Sequence, residues 1–181
     1  MILVINTSNN GIDLVLGDKF AHIDADKQAV TLPTAVENFL HKNNVNWSEL
    51  TAVGIVIGPG SFTGIRLGIA YAKGLAIGLK IPVIPINAFE LYLAETPNAF
   101  VAIESGRGDF FVAAKNLEPC TMSIDDVETR QMDWPQTVGH KPFNLKLAIN
   151  IIQEKLKNDK PEPVIPMYLR PSYAEEKNTG K

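Results

Sequence analysis

The run Gly58-Pro59-Gly60-Ser61-Phe62-Thr63-Gly64-Ile65-Arg66-Leu67-Gly68 constrains the fold more than any other part of the chain. It follows the apolar stretch Ala52 to Ile57 and leads into a helical pattern from about Gly64 to Leu79. It therefore sits where a strand hands over to a helix, a place at which backbone N–H groups could cradle an anion. Its spacing fits neither standard phosphate motif. Gly58, Gly60 and Gly64 give G-x-G-x-x-x-G, too long for the dinucleotide fingerprint, and no G-x-x-x-x-G-K-[ST] occurs in the chain. Gly58, Pro59, Gly60, Ser61, Thr63 and Gly64 are accordingly read as a structural turn that lets a helix come close to a sheet.

The helix behind the turn carries its charges, Arg66, Lys73 and Lys80, at seven-residue spacing on one narrow stripe. Gly64, Gly68, Ala72 and Ala76 form one row of small residues at four-residue intervals, and Ala70, Gly74 and Gly78 form another. Glycine inside a helix costs up to about 1 kcal/mol relative to alanine, so close packing has to offset it. One row can pack on the sheet. The other is covered either by a partner subunit or by the rest of this chain.

Element order gives the fold class. Ile2 to Ile5, Ile12 to Leu16 and Lys19 to Asp24 read as a meander of short strands with turns at Asn9-Asn10-Gly11 and Gly17-Asp18. Thr34 with Glu37 forms a capping box for an amphipathic helix over 34–43, on Val36, Phe39 and Leu40. The Ala52 to Ile57 strand, the 64–79 helix and a strand at Val83 to Ile86 make a right-handed parallel crossover. Asn87 and Glu90 cap a further helix to about Glu95. This β-β-β-α-β-α-β-α order predicts an α/β ribonuclease H-like, actin-like ATPase (ASKHA) lobe with a mixed sheet over 1–99. Residues 100–181 are expected to form a reduced second lobe: a hairpin of Phe100 to Glu104 with Asp109 to Ala114, a weakly patterned stretch, an amphipathic helix over 144–157 and an extended tail from Pro161.

The chain offers little chemistry of its own. His22, His41 and His140 are scattered and make no metal-binding pair, so no metal site is expected. Cys120 has no evident base beside it, and Asp24 with Asp26, like Asp125 with Asp126, reads as turn chemistry. No catalytic residue is assigned. The Asn6-Thr7-Ser8 turn stands where actin-type ATPases carry an aspartate. Asn6 lacks that charge, which leaves Thr7 and Ser8 as the candidates for a nucleotide contact and a small ATPase or phosphotransferase as the alternative reading. The lone cysteine and the strand-like start at Met1 predict a reducing cytoplasm. No apolar run reaches the roughly 20 residues of a membrane span. Seventeen basic against 20 acidic residues, net charge −3, give no broad attraction for nucleic acid.

With these residues in view the chain resembles the TsaB (YeaZ) family, the non-catalytic partners of TsaD in making threonylcarbamoyladenosine in tRNA. Ile2 to Ser8, Gly58 to Arg66, the hairpin from Val101 to Phe111 and Pro166-Met167-Tyr168-Leu169-Arg170-Pro171 carry the likeness. The resemblance implies a scaffold subunit without a cofactor that docks on TsaD or on a second copy of itself. Its interface would be formed by Val36, Phe39, Leu40, Phe62, Ile65, Arg66, Gly68, Ile69, Ala72, Lys73 and Ala76. TsaE would join the pair, and tRNA would be held only through the complex. A metalloprotease, implied by older family naming, is opposed by the missing histidine pair. Family members usually carry Asp where this chain has Asn6, and their Asp-Ala-Arg at the hairpin is here Glu104-Ser105-Gly106, with Arg107 displaced by one.

Overall fold

A computed structural model describes residues 1–158 and 162–170. Among the described residues two compact units emerge: one from Met1–Asn87 with the segment that begins at Leu145 and ends at Pro166, and one from Ala88–Asn144 with residues 167–170.

In the first unit, β1 (Ile2–Asn6), β2 (Ile12–Leu16) and β3 (Lys19–Ile23) form the expected meander. They are followed by α1 (Gln28–Lys42), β4 (Ala52–Val56), α2 (Phe62–Leu79) and β5 (Val83–Ile86). The sheet runs β3-β2-β1-β4-β5, with β1, β4 and β5 mutually parallel and the meander antiparallel. Every residue of β4 is buried, as an apolar run at the centre of a sheet covered on both faces requires. One face, through Leu3, Ile5, Leu14, Val53 and Ile55, packs on Leu32, Val36, Phe39 and Leu40 of α1 and on Ile65, Ile69, Ala72 and Ala76 of α2.

The helix expected over 34–43 begins well before Thr34, which lies inside it rather than at its cap, and Pro33 is tolerated on its exposed side. Leu32 explains the difference: at 0% exposure it extends the apolar stripe 32-35-36-39-40 back past the proline. Gln28 fixes the start by donating from Nε2 to the carbonyls of Thr7, Asn9 and Gly11.

The helix expected over 144–157 begins as a 3-10 turn at Leu145–Leu147 and continues as α5 (Ala148–Lys157; α3 and α4 are given below). It packs on β1, β4 and β5 within the first unit, on the sheet face opposite α1 and α2. Gly54 of β4 makes room for it, since a Cβ there would strike Ile152 Cδ1. The grouping thus departs from the 1–99 and 100–181 division: α5 lies with the first unit, and α3 (Ala88–Glu95) with the second. Side-chain contacts explain α3, whose Ala88, Phe89 and Tyr92 share a core with Val101 and Phe111.

The second unit contains more regular structure than its sequence pattern announces. Besides α3 it holds β6 (Phe100–Glu104), β7 (Asp109–Ala114), β8 (Leu117–Ser123), α4 (Ile124–Arg130) and β9 (Thr137–Val138). Asp125 and Asp126, expected in a turn, fill the first turn of α4, where carboxylates face the positive helix end, and Ser123 accepts from the Asp126 N–H. Its sheet order, β8-β7-β6-β9, repeats β3-β2-β1-β4 strand for strand, with α4 at the place of α1. Residues 162–170 are in neither helix nor strand, as expected of the tail; Pro161 and positions beyond Arg170 lie outside the described residues. The tail's Leu169 carbonyl accepts from Thr121 Oγ1 at 3.2 Å, and Arg170 pairs with Asp109.

Candidate functional site

The glycine-rich turn is docked against the first turn of the chain by backbone contact. Ser61 N–H donates to the Ser8 carbonyl at 2.7 Å, and Thr7 Oγ1 donates to the Gly64 carbonyl at 2.7 Å. A Cβ at Gly60 would strike the Ser8 carbonyl, one at Gly64 the Thr7 carbonyl, and one at Gly68 the Thr7 hydroxyl. Three glycines are thus required by three atoms of one buried turn. Ser61 caps α2 by accepting from the Gly64 N–H at 3.2 Å. Ser61→Ala is expected to lower stability by about 1 kcal/mol, read as a shift of the urea midpoint at unchanged slope.

This packing changes the standing of Thr7 and Ser8. Their exposures are 0% and 2%, Thr7 Oγ1 is committed to Gly64, and Ser8 Oγ donates to Asn6 Oδ1 at 2.7 Å. Neither hydroxyl is presented to a nucleotide. Asn6, 1% exposed, completes the turn: its Oδ1 also accepts from the Ser8 N–H, and its Nδ2 donates to Asp13 Oδ2 at 2.9 Å. The carboxylate of this corner is on β2, at Asp13. Among the described residues, no group of three His, Cys, Asp or Glu side chains could hold a metal ion.

The residues implied as a partner interface divide sharply by burial. Val36, Phe39, Leu40, Ile65, Ile69, Ala72 and Ala76 are all under 7% exposed, and Gly68 is buried as well. They build the unit's own core, because the 64-68-72-76 row is the one that faces the sheet. Phe62 is half-buried, while Arg66 and Lys73 are exposed. The row left facing outward is Ala70, Gly74 and Gly78, accompanied by Ile77 at 78% exposure. A Cβ at Gly74 or Gly78 would meet nothing within 4 Å. Arg66 places its guanidinium 3.9 Å from the centroid of the Phe62 ring, which holds one end of the charged stripe over an aromatic face. Sequence spacing singles out the helix itself; which of its two rows is inside is decided by the phase that Thr7 and Ile55 impose. No helix among the described residues is long and apolar enough to cross a membrane.

A polar feature that sequence spacing does not reveal lies beside this corner. His22 of β3 sits between Asp13 and Asp24, with Nδ1 2.6 Å from Asp13 Oδ1 and Nε2 3.3 Å from Asp24 Oδ1. The signal that could have found it is the antiparallel register, which pairs position 13 with position 22.

Comparison with known proteins places this geometry in context. The family model described as TsaD: tRNA N6-adenosine threonylcarbamoyltransferase matches residues 22–176. The tRNA threonylcarbamoyladenosine biosynthesis protein TsaB of Haemophilus influenzae is 28% identical over 167 residues, covering 84% of this chain and 67% of that protein. TsaB of Bacillus subtilis is 30% identical over 100 residues, covering 51% of this chain and 43% of its own length. The tRNA N6-adenosine threonylcarbamoyltransferase of Rickettsia prowazekii is 34% identical over 83 residues, or 21% of its length. The chain thus spans about two thirds or less of the relatives it matches. Among solved structures, YeaZ from Pseudomonas aeruginosa superposes with a TM-score of 0.69 at 17% identity, over 93% of this chain and 99% of that one. Together with the family match and the mixed sheets, this makes the fold α/β and ASKHA-like.

Proposed function

This chain belongs to the TsaB (YeaZ) family of tRNA threonylcarbamoyladenosine biosynthesis proteins, within the wider TsaD family, and from that membership we propose that it is a non-catalytic docking subunit for TsaD. The observation that carries the docking role is the outward face of α2. A Cβ added at Gly74 or Gly78 would meet nothing within 4 Å beyond the helix's own backbone, yet the helix keeps glycine at two places where alanine would be more stable. The same face carries exposed Ile77 between the cations of the stripe. A surface that retains glycine at a stability cost, without an internal reason, fits close approach by another helix.

In this reading the docking residues are Phe62, Arg66, Ala70, Lys73, Gly74, Ile77 and Gly78, and the inward residues support them. TsaD supplies the chemistry, TsaE joins the pair, and a second copy of this chain takes the same face when TsaD is absent. tRNA is held through the complex, since a net charge of −3 gives this subunit little hold on phosphate. The assembly works in the cytoplasm and asks for no cofactor from this chain. The internal commitment of the Thr7 and Ser8 hydroxyls weighs against an ATPase or phosphotransferase.

Depleting the protein in its own cell tests the pathway. Threonylcarbamoyladenosine in bulk tRNA, measured by mass spectrometry after nuclease digestion, is expected to fall several-fold. Unchanged levels in depleted cells would sink the assignment, and binding with turnover of ATP by the isolated chain would revive the enzyme reading.

A further inference from the structure

Outside the α2 face, one cluster of titratable groups has a geometry that only a charged imidazole satisfies. Each ring nitrogen of His22 faces a carboxylate oxygen, Nδ1 toward Asp13 and Nε2 toward Asp24. Ionised carboxylates only accept hydrogen bonds, whereas a neutral imidazole has one N–H and one lone pair. The imidazolium alone donates to both. We propose that His22 is a proton-operated latch: protonated, it ties Asp24 and the segment leading into α1 to the sheet edge, and on losing its proton it keeps Asp13 and releases Asp24.

Burial decides which bond lets go. The Asp13 side chain is 18% exposed, and its second oxygen accepts from Asn6 Nδ2, so the buried corner holds it in place. Asp24 is fully exposed, and its contact with the ring is the longer of the two, 3.3 Å against 2.6 Å. A neutral ring therefore places its single N–H on Nδ1 toward Asp13 and turns the Nε2 lone pair toward Asp24, which repels it. Gly11, at φ +80°, provides the ring's seat, since a Cβ there would lie 2.8 Å from His22 Cε1. The charged groups facing the ring are Asp13 from β2 and Asp24 from the continuation of β3; the 9–11 turn brings none.

The hydrogen bond to Asp13 is the largest influence on the ring and holds its pKa above the ordinary 6.5, with burial opposing and Asp24 adding to the rise. A raised value in the folded state fixes the sign: the latch is fully engaged below pH about 6.5 and is lost as pH climbs through the folded value. Asp24, Ala25 and Asp26 line a cleft of about 450 Å³ together with Asn10, Gln28 and Ser61. Release therefore loosens one wall of that cleft and the start of α1, which has no side-chain cap.

NMR titration of His22, combined with hydrogen exchange of the Val30 and Thr31 amides, which donate to the Lys27 carbonyl, tests the latch. His22 is expected to titrate above 6.5. Protection of these two amides, corrected for intrinsic exchange, is expected to fall at least about threefold between roughly pH 6 and 9. Asp24→Ala, at a fully exposed position, is expected to abolish that fall while leaving the His22 titration raised by Asp13. A His22 that titrates at or below its ordinary value, protection that does not change with pH, or a fall that persists in Asp24→Ala overturns the proposal.

Discussion

Gly68→Leu is expected to cost about 2–6 kcal/mol of stability, whereas Gly74→Leu, further along the same helix, keeps the fold and loses the partner. At Gly68 a Cβ would already strike Thr7 Oγ1 and lie 3.0 Å from Ile55 Cδ1, and leucine adds more atoms at that spot. Overpacking of this kind costs about 1–3 kcal/mol. Displacing Thr7 also breaks its buried hydrogen bond to Gly64, for roughly 1–3 kcal/mol more. Together these approach the lower part of the roughly 5–15 kcal/mol by which such domains are stable. At Gly74 the space is open, and leucine is the better helix former by up to about 1 kcal/mol, so the urea midpoint should stay or rise. Co-purification and titration with TsaD are the second measurement. With leucine at Gly74 and Gly78, affinity is expected to drop more than about tenfold, equivalent to 1.4 kcal/mol. If both outward variants fold and bind TsaD as before, α2 is not the docking face. An unchanged midpoint for Gly68→Leu would instead remove the close approach between α2 and the 6–8 turn.

The contrast also shows what could be read from the chain alone. The two rows of small residues on α2 are legible as rows, because four-residue spacing is visible in a string of letters. Which row faces the sheet is not legible, since the phase is set by Thr7, 57 positions away from Gly64 in sequence. The implied interface on Val36, Ile65, Gly68 and Ala72 consequently belongs to the core, and Ala70, Gly74 and Gly78 take the outer face. The first sheet is legible strand by strand because β1 and β4 are continuous apolar runs bounded by turn residues. β8 escapes notice for the opposite reason: Glu118, Pro119 and Thr121 interrupt its pattern, and pairing with β7 supplies the order that propensity does not. The start of α1 is hidden by Thr34 and Glu37, which read as a capping box although the buried Leu32 ahead of them already belongs to the helix.

Asn6→Asp is expected to destabilise the chain strongly at neutral pH, and Asp13→Asn in the same molecule to restore most of the loss. Resemblance to the family makes aspartate the usual residue at position 6, so the substitution looks like a reversion. Here, however, the position 6 side chain is 1% exposed, and its Nδ2 is 2.9 Å from a carboxylate oxygen of Asp13. Aspartate at 6 would replace a donor with a second carboxylate in a corner where two charges cannot both persist. One of the pair would then hold its proton more tightly, its pKa pushed up by the charge of the other. A hundredfold weaker acid in the folded state than in the unfolded one corresponds to a loss of roughly 3 kcal/mol at pH 7. The sign is fixed by the direction: a carboxyl whose folded pKa is raised destabilises the fold above that value, so the deficit should shrink as the solution is acidified and the pair shares a proton. In the double variant the amide at 13 donates to the carboxylate at 6, which still accepts from the Ser8 N–H and Oγ, so the corner is again complementary. The coupling energy from a double-mutant cycle of urea midpoints is the measurement, with additive single effects as the result that would refute a carboxylate and amide exchanged between β1 and β2. The exchange has a further consequence at the surface. With Asn at 13, His22 loses the charge nearest its Nδ1, so the double variant should keep its stability while the histidine titrates closer to its ordinary value. Restoration of the fold without restoration of the histidine would separate what Asp13 does for Asn6 from what it does for His22.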